Sequence, residues 1–423
     1  MKFALSSYGT RGEVEPCVAI GRELVRRGHR VCMAVPSDLV DFVGSAGLEP
    51  VAYKLDSEAV TQAYVELWKH FYFSRNVWRI RDVGKLRNEL GQTGLQCFWE
   101  TSRTLVSLAV GADLLLTGVN LEQPAANVAE FYDIPLATMH FSPVRSNGQM
   151  FPALPPPVVR SSMTGLEWLV WRLSKNLENA QRRELGLSKT TAPYPWRMTE
   201  RSLEIQAYEE ACFPGLAAEW AQLRSQRPFV GTLGLELPTA ADEDVVSWIE
   251  AGKPPVFFGF GSMLVDSPAD TLAMIAAACA RLGERALVCA GGSDFGRVPD
   301  FRHVKVVDKV NYSAIFPACR ALVHHGGSST TPIGLRAGVP TLILWTIRDQ
   351  AILGAAVKRL RVGTARRFSS TTEESLVEDL RTILAPQYVT RAREIAPQMT
   401  NPAESVTAAT DLVEAFARRR TVD

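Results

Sequence analysis

The sequence carries almost no net charge: 46 lysines and arginines face 45 aspartates and glutamates, a formal +1 at pH 7. A nucleic-acid binder needs a basic face, so this balance argues against nucleic acid as a partner and leaves only local basic patches. The 7 cysteines (17, 32, 97, 212, 279, 289 and 319) show no C-x-x-C spacing. Several lie inside apolar strand or helix patterns. They read as small buried hydrophobes in a reducing compartment, not as a disulfide frame or a zinc site. No apolar run approaches the ~18 residues of a membrane span. The first residues offer one lysine and then only "FAL" before polar positions, so no secretory leader is expected. The expectation is a cytoplasmic protein, with peripheral contact at the inner face of a membrane left open.

What is present is the composition of a globular enzyme. Apolar residues make up 46% and charged residues 22%, enough for sizeable cores. A length of 423 residues fits two or three domains of roughly 150 residues each. The chain opens "MKFALSSYGTRGEVEPCVAIGRELVRRGHRVCMAVP". "KFAL" reads as a buried strand and "PCVAIGRELVRRG" as an amphipathic helix with Pro16 in its first turn and Gly28 near its stop. "RVCMAVP" is a second strand. The loop "SSYGTRGEVEP" then lies at the carboxyl end of the first strand, where open parallel sheets bind ligands.

Strand and helix continue to alternate through "ADLLLTG" and "IPLATMHF", which predicts a parallel sheet covered on both faces. Two segments break the pattern: an aromatic and basic insertion over roughly 53–101, and "MFPALPPPVVR" with the helical stretch after it. Pro, Gly and Thr cluster around "SQRPFVGTLGLELPTAADED", and a new α/β series follows. These features predict an N-terminal domain over 1–227, a second α/β domain over 228–404, and a C-terminal helix over 405–423 that packs back across the first. Two such domains imply facing sheets with a cleft, a favoured place for ligands.

The strongest local signal is "ALVHHGGSSTTPIGLRAGVPTLILWTIRDQ". A buried strand ends in two histidines, two glycines turn the chain, and serines and threonines open a helix. Hydroxyls and free N–H groups at a helix start suit a phosphate. The next strand leads into Asp349 and Gln350, a carboxylate and an amide able to grip sugar hydroxyls. Mid-chain, "FFGFGSM" places Ser262 after Gly261, a second phosphate contact or a simple turn.

Together "GTRGEVEP", "FGFGSM" and "HHGGSSTTPIGLRAGVPTLILWTIRDQ" resemble the first glycosyltransferase family. The resemblance covers essentially the whole chain. It is to the bacterial branch that includes glycopeptide-antibiotic and sterol glycosyltransferases and, more narrowly, mycobacterial enzymes of the glycopeptidolipid type. It implies the GT-B fold, two facing Rossmann-like domains. The C-terminal domain would hold a nucleotide-sugar donor as co-substrate, with no cofactor, and the N-terminal domain a lipid-like acceptor. His325 matches the histidine at the donor pyrophosphate; Gly327, Ser328, Ser329 and Thr330 match the phosphate turn, and Ser262 the serine on the facing loop. Asp349 and Gln350 match the pair on the sugar hydroxyls; Val310 and Asn311 fall where the base is contacted. Thr10, Arg11 and Gly12 would face the departing diphosphate. Glu13 stands where the family has aspartate, and as general base it would take the acceptor hydroxyl proton. Its other reading is a carboxylate salt-bridged to Arg11. The chain also departs from "HHGGAGTT" by carrying Ser328 and Ser329 for alanine and glycine, which adds bulk to the turn.

Three further features admit two readings each. "DED" at 242–244 matches the D-x-D of metal-dependent glycosyltransferases but sits at a helix start, where acids favour the dipole; capping is preferred, so no metal site is expected. His140, at a strand end, fits an acceptor contact or a core histidine. Trp78, Trp168 and Trp171, among basic residues, fit an acceptor groove, a membrane surface or a core stripe. The resulting expectation is an inverting, metal-independent glycosyltransferase moving a sugar, such as a 6-deoxyhexose, to a glycopeptidolipid-like hydroxyl. The alternatives are a nucleotide-sugar epimerase of the same fold and a non-catalytic nucleotide-sugar or lipid-binding module.

Overall fold

A computed structural model describes residues 1–53, 95–151, 154–197, 201–235, 239–261, 267–291 and 301–418. The chain divides into two compact units. Unit 1 combines 1–210, 214–235 and 401–423, and unit 2 combines 211–213 with 236–400.

Unit 1 begins with β1 (Lys2–Ser6), α1 (Arg11–Arg26), β2 (Arg30–Val35), α2 (Val40–Ser45) and β3 (Glu49–Ala52). After helical residues 95–108 come β4 (Leu114–Gly118), α3 (Glu122–Tyr132), β5 (Leu136–His140), α4 (Pro156–Glu184) and β6 (Ser202–Gln206). The sheet runs β3-β2-β1-β4-β5-β6, with every pairing parallel. Central strands covered on both faces must be apolar throughout, and β4 and β5 are buried at every position. Strand order reverses between β1 and β4, so the switch point lies at the carboxyl end of β1, where Ser7–Thr10 lead into α1.

Unit 2 contains α5 (Asp242–Glu250), β7 (Val256–Gly259), α6 (Pro268–Leu282), β8 (Ala286–Cys289), β9 (Val304–Val307), β10 (Ala321–His324) and α7 (Thr330–Arg336). It continues with β11 (Thr341–Trp345), α8 (Arg348–Leu360), β12 (Gly363–Arg367), α9 (Glu373–Ile383) and α10 (Pro386–Ile395). Its parallel sheet runs β12-β11-β10-β7-β8-β9, so the switch point falls between β7 and β10. The two histidines and the "FGFG" glycines end these two strands, with His324 paired to Gly259 in register.

α11 (Pro402–Arg418) belongs to unit 1 and lies against α1. It buries Ala409, Val413 and Ala417 in that core, while Asp411 and Glu414 meet Arg27 at 2.6 and 3.1 Å. Residues 228–235, expected in the second domain, stay with unit 1. Val230 N–H donates to the Gln206 carbonyl at 3.1 Å and Leu235 N–H to Glu15 Oε1 at 3.0 Å, which extends the edge beyond β6. Most of the aromatic insertion, residues 54–94 with Trp78, lies outside the described residues.

Candidate functional site

The opening loop is shorter than the sequence reading allowed. α1 starts at Arg11, not at Pro16, so Arg11, Gly12 and Glu13 form its first turn. The cause is a capping box. Glu13 Oε2 accepts from the Thr10 N–H at 2.6 Å and from Thr10 Oγ1 at 3.1 Å, which satisfies a backbone donor at the helix start. Arg11 turns to Glu15 at 3.1 Å and lies over Phe42 at 4.6 Å, so the guanidinium serves Glu15 and the Glu13 carboxylate serves the helix start. Gly9 has φ +130, and a Cβ there would stand 2.2 Å from Glu13 Oε2. Only glycine lets the carboxylate fold back this closely.

In unit 2, His325 sits just past β10, wedged between two glycine backbones. A Cβ on Gly261 would meet its ring at 2.7 Å, and one on Gly327 at 2.6 Å. Gly261 is thus a matter of room for this imidazole, whereas a Cβ on Gly259 would meet the Phe257 ring at 2.6 Å. Burial pushes the His325 pKa down to about 4, against a hydrogen bond to Gly259 that favours the charged form. The ring is neutral at pH 7, and its Nδ1 has no hydrogen-bond partner among the described residues. Its neighbour His324 is fully buried, its pKa pushed down to about 3 by burial and then by His325. His324 Nδ1 accepts from the Gly326 N–H at 3.0 Å, which fixes the turn, and Nε2 has no partner among the described residues.

Gly327, Ser328, Ser329 and Thr330 follow this ring and lead into α7, with Thr331 N–H and Oγ1 both donating to the Gly327 carbonyl at 3.0 and 2.9 Å. Gln350 and Asp349 lie in the first turn of α8. Gln350 Oε1 accepts from Thr346 N–H at 2.8 Å, from Thr346 Oγ1 at 3.0 Å and from Ile347 N–H at 3.2 Å, so its carbonyl caps the helix. Asp349 is exposed. Val310 is buried in the core with Phe257 and Leu322. Asn311 Oδ1 caps a short helix through Ser313 N–H at 3.1 Å. Ser262 lies outside the described residues. The structure therefore gathers His325, Gly261 and Gly327 in unit 2, and Gly9, Thr10 and Glu13 in unit 1.

The carboxylates of "DED" are engaged elsewhere. Asp242 accepts from Thr239 N–H at 2.7 Å, Thr239 Oγ1 at 2.6 Å and Asn311 N–H at 2.8 Å, while Asp244 pairs with Lys305 at 2.7 Å. His140 is fully buried, with Nε2 2.5 Å from Glu122 and Nδ1 3.3 Å from Gln206. That seals it inside the protein and leaves no ring nitrogen for an acceptor. Trp171 is likewise a core residue whose Nε1–H donates to Glu178 at 2.9 Å, whereas Trp168 is exposed.

Two family descriptions match the chain: "Glycosyltransferase family 28 N-terminal domain" over residues 3–113 and "Erythromycin biosynthesis protein CIII-like, C-terminal domain" over 286–415. An uncharacterized glycosyltransferase of Mycobacterium tuberculosis is 56% identical over 423 residues, covering 99% of this chain and all of that protein. The chain is a glycosyltransferase of this family. Sterol 3-beta-glucosyltransferase UGT80B1 of Arabidopsis thaliana is 27% identical over 97% of this chain and 67% of its own length. The solved glycosyltransferase VinC, crystallised with dTDP, superimposes with a TM-score of 0.65 at 18% identity, covering 99% of this chain and all of VinC. The fold is accordingly GT-B, two α/β units each built on a six-stranded parallel sheet.

The glycosyltransferase also holds a polar cluster that sequence reading missed. Arg145 donates to Glu204 at 2.7 Å, to Glu122 at 2.8 Å and to the Tyr194 hydroxyl, and Arg227 closes on the other Glu204 oxygen at 2.7 Å. Burial alone would raise the Glu122 carboxyl, but Arg145 and then His140 beside it hold it down to about 2. These residues are scattered from 122 to 227, and no local pattern joins them. The Thr10–Glu13 box, by contrast, had a readable signal in its T-x-x-E spacing ahead of an apolar run.

Proposed function

We propose that this glycosyltransferase moves a sugar from a nucleotide diphosphate donor to a hydroxyl of a lipid-like acceptor, with inversion at the anomeric carbon and without a metal. The observation that carries the reading is His325: a neutral imidazole with an unmatched ring nitrogen at the switch point of unit 2, followed by a turn of small hydroxyl residues. The neutral ring's one N–H faces the Gly259 carbonyl, so it would serve a diphosphate oxygen by turning that N–H to the ligand or by taking up a proton at Nδ1 as charge develops on the leaving group. The same reading gives Gly327, Ser328, Ser329 and Thr330 to the phosphates and Asp349 with the Gln350 amide nitrogen to the sugar hydroxyls. Val310, Asn311 and Ser262 belong to the base and phosphate contacts. The dTDP bound to VinC supports a thymidine or uridine diphosphate donor, and the plant sterol glucosyltransferase supports a lipid-like acceptor. A 6-deoxyhexose donor and a glycopeptidolipid acceptor are its narrower form.

Glu13 is the general base in this scheme, with Thr10, Arg11 and Gly12 beside it toward the leaving group. Glu13→Gln separates its two roles. A carboxamide oxygen still accepts the Thr10 N–H and keeps the cap, but it takes no proton at neutral pH. In an acceptor-dependent assay run in the presence of EDTA, kcat of the variant should fall by about 10²–10⁴ with donor affinity nearly unchanged. Glu13→Asp should retain substantial activity. A Gln variant within about threefold of wild type excludes Glu13 as the base. Wild-type turnover abolished by EDTA and restored by magnesium or manganese returns Asp242 and Asp244 to consideration. Donor interconversion without acceptor identifies an epimerase, and binding without turnover a carrier module.

A further inference from the structure

β6 is the outer strand of the unit 1 sheet, and residues 226–230 run along its edge. Glu204 N–H donates to the Gln226 carbonyl at 2.7 Å and Gln206 N–H to the Pro228 carbonyl at 2.9 Å. That run brings Arg227 to Glu204, which Arg145 reaches from the segment after β5. Each Nε holds a different Glu204 oxygen at 2.7 Å, so one buried carboxylate fixes both guanidiniums. Arg145 commits Nη2 to Glu122 and Tyr194, but its Nη1 has no hydrogen-bond partner among the described residues, and neither has either Nη of Arg227. Both arginines line a cavity of about 360 Å³, and these uncommitted N–H groups are the donors they bring to it. The rest of the wall adds other chemistry. Ser146 Oγ accepts from Thr164 Oγ1 at 3.1 Å and has its own proton left to give. Glu167 Oε1 accepts from the Ser146 N–H at 2.9 Å, and its Oε2 has no partner among the described residues. Trp196, on the helical turn Tyr194–Arg197, lines the same cavity and is 47% exposed.

We infer that this cavity, built by unit 1 alone, binds a sugar ring separate from the sugar of the donor. A sugar hydroxyl gives one proton and accepts at two lone pairs, which suits a wall of guanidinium N–H groups, a hydroxyl and a carboxylate oxygen. The indole offers an apolar surface to the C–H side of the ring. A volume of about 360 Å³ falls within the ~300–1,000 Å³ of small-ligand clefts. Charge argues against an anion. Arg145 and Arg227 stand against Glu122, Glu204 and Glu167, and even a protonated His140 would only balance them. Both guanidiniums are fixed before a ligand arrives, so little side-chain ordering opposes binding. The inference does not rest on the proposed reaction.

The test is saturation-transfer NMR of the full chain with methyl glycosides of hexoses and 6-deoxyhexoses, titrated to give Kd. Wild type should transfer saturation to the glycoside ring protons, and saturating thymidine diphosphate should leave that signal unchanged. Arg227→Lys keeps a cation for Glu204 but removes the planar fork, and should weaken binding by about tenfold. Trp196→Ala should weaken it by about fivefold through loss of the apolar surface. Trp196 is half-exposed, so its variant decides the matter if the lysine variant melts early. Arg224→Lys, an exposed arginine outside the cavity, should bind as wild type does. Absence of transfer in wild type, cavity variants that bind as wild type does, or displacement by thymidine diphosphate each overturn the inference. Citrate binding more tightly than every glycoside also overturns it, assigning the cavity to an anion.

Discussion

His140 ends β5 in unit 1 and His324 ends β10 in unit 2; both imidazoles are fully buried at the carboxyl end of a parallel strand. Around His140 each nitrogen has a partner, and the shell continues through Glu122, Arg145, Glu204 and Arg227. Around His324 and His325 one nitrogen of each ring is unmatched among the described residues. A buried polar atom without a partner costs free energy and persists where something other than stability retains it. The difference separates a centre whose imidazole nitrogens are matched within the unit from one that leaves a nitrogen of each ring unmatched, as the proposed donor site requires.

The sharpest way to break the comparison is Arg145→Met. Removing the cation leaves two buried carboxylates with only His140 beside Glu122 and Arg227 beside Glu204, and the loss should be about 3–5 kcal/mol in urea unfolding. A loss under about 1 kcal/mol would mean the cluster is not electrically coupled. Next comes His325→Ala. It should weaken nucleoside diphosphate binding by about 1–3 kcal/mol in calorimetry, while costing less stability than Arg145→Met because the ring satisfies less of its surroundings. Unchanged affinity would remove His325 from the donor site.

The smallest effect expected is a division of acid sensitivity. Both histidine pKa values are depressed on folding, from 6.5 to about 3 and about 4. The unfolded chain therefore takes up protons that the folded chain refuses, and stability falls as pH drops through about 6.5 toward 4. Glu122 is depressed from 4.5 to about 2, so its contribution persists above about 4.5 and is lost between there and pH 2. His324→Asn should flatten the upper part of a urea-midpoint profile and leave the lower part unchanged. Identical profiles for the two proteins would show that the histidine pair titrates normally.

The same contrast explains what could be read in advance. The strand–helix alternation and the motifs that end β1, β7 and β10 are contiguous, and they announce a doubly wound fold and its switch points. The Arg145 cluster joins residues from α3, the segments after β5 and α4, β6 and the edge beyond it. Only the parallel register, with His140 beside Gln206, brings them together. His140 therefore fitted an acceptor contact as well as a core place in the sequence, and it is sealed in the core. Gln350 read as a ligand group and Asp242 as a cap although the two roles call for the same side chains; geometry gives oxygens of both to backbone N–H groups. Trp168 and Trp171 were legible as a helical stripe, but periodicity marks a stripe without saying which side the protein covers: Trp171 is buried and Trp168 exposed.

The return of α11 to unit 1 has a consequence for how the protein is made. Unit 2 occupies essentially one continuous stretch, 236–400, inserted between the body of unit 1 and its last helix. During synthesis the N-terminal sheet emerges first, yet the α1 surface that receives Ala409, Val413 and Ala417 stays bare until the chain is almost complete. The later half of the polypeptide can close its own core before the earlier half finishes. For that interval a nascent apolar groove is exposed on the older domain, and it is there that a chaperone or a premature stop would be felt most.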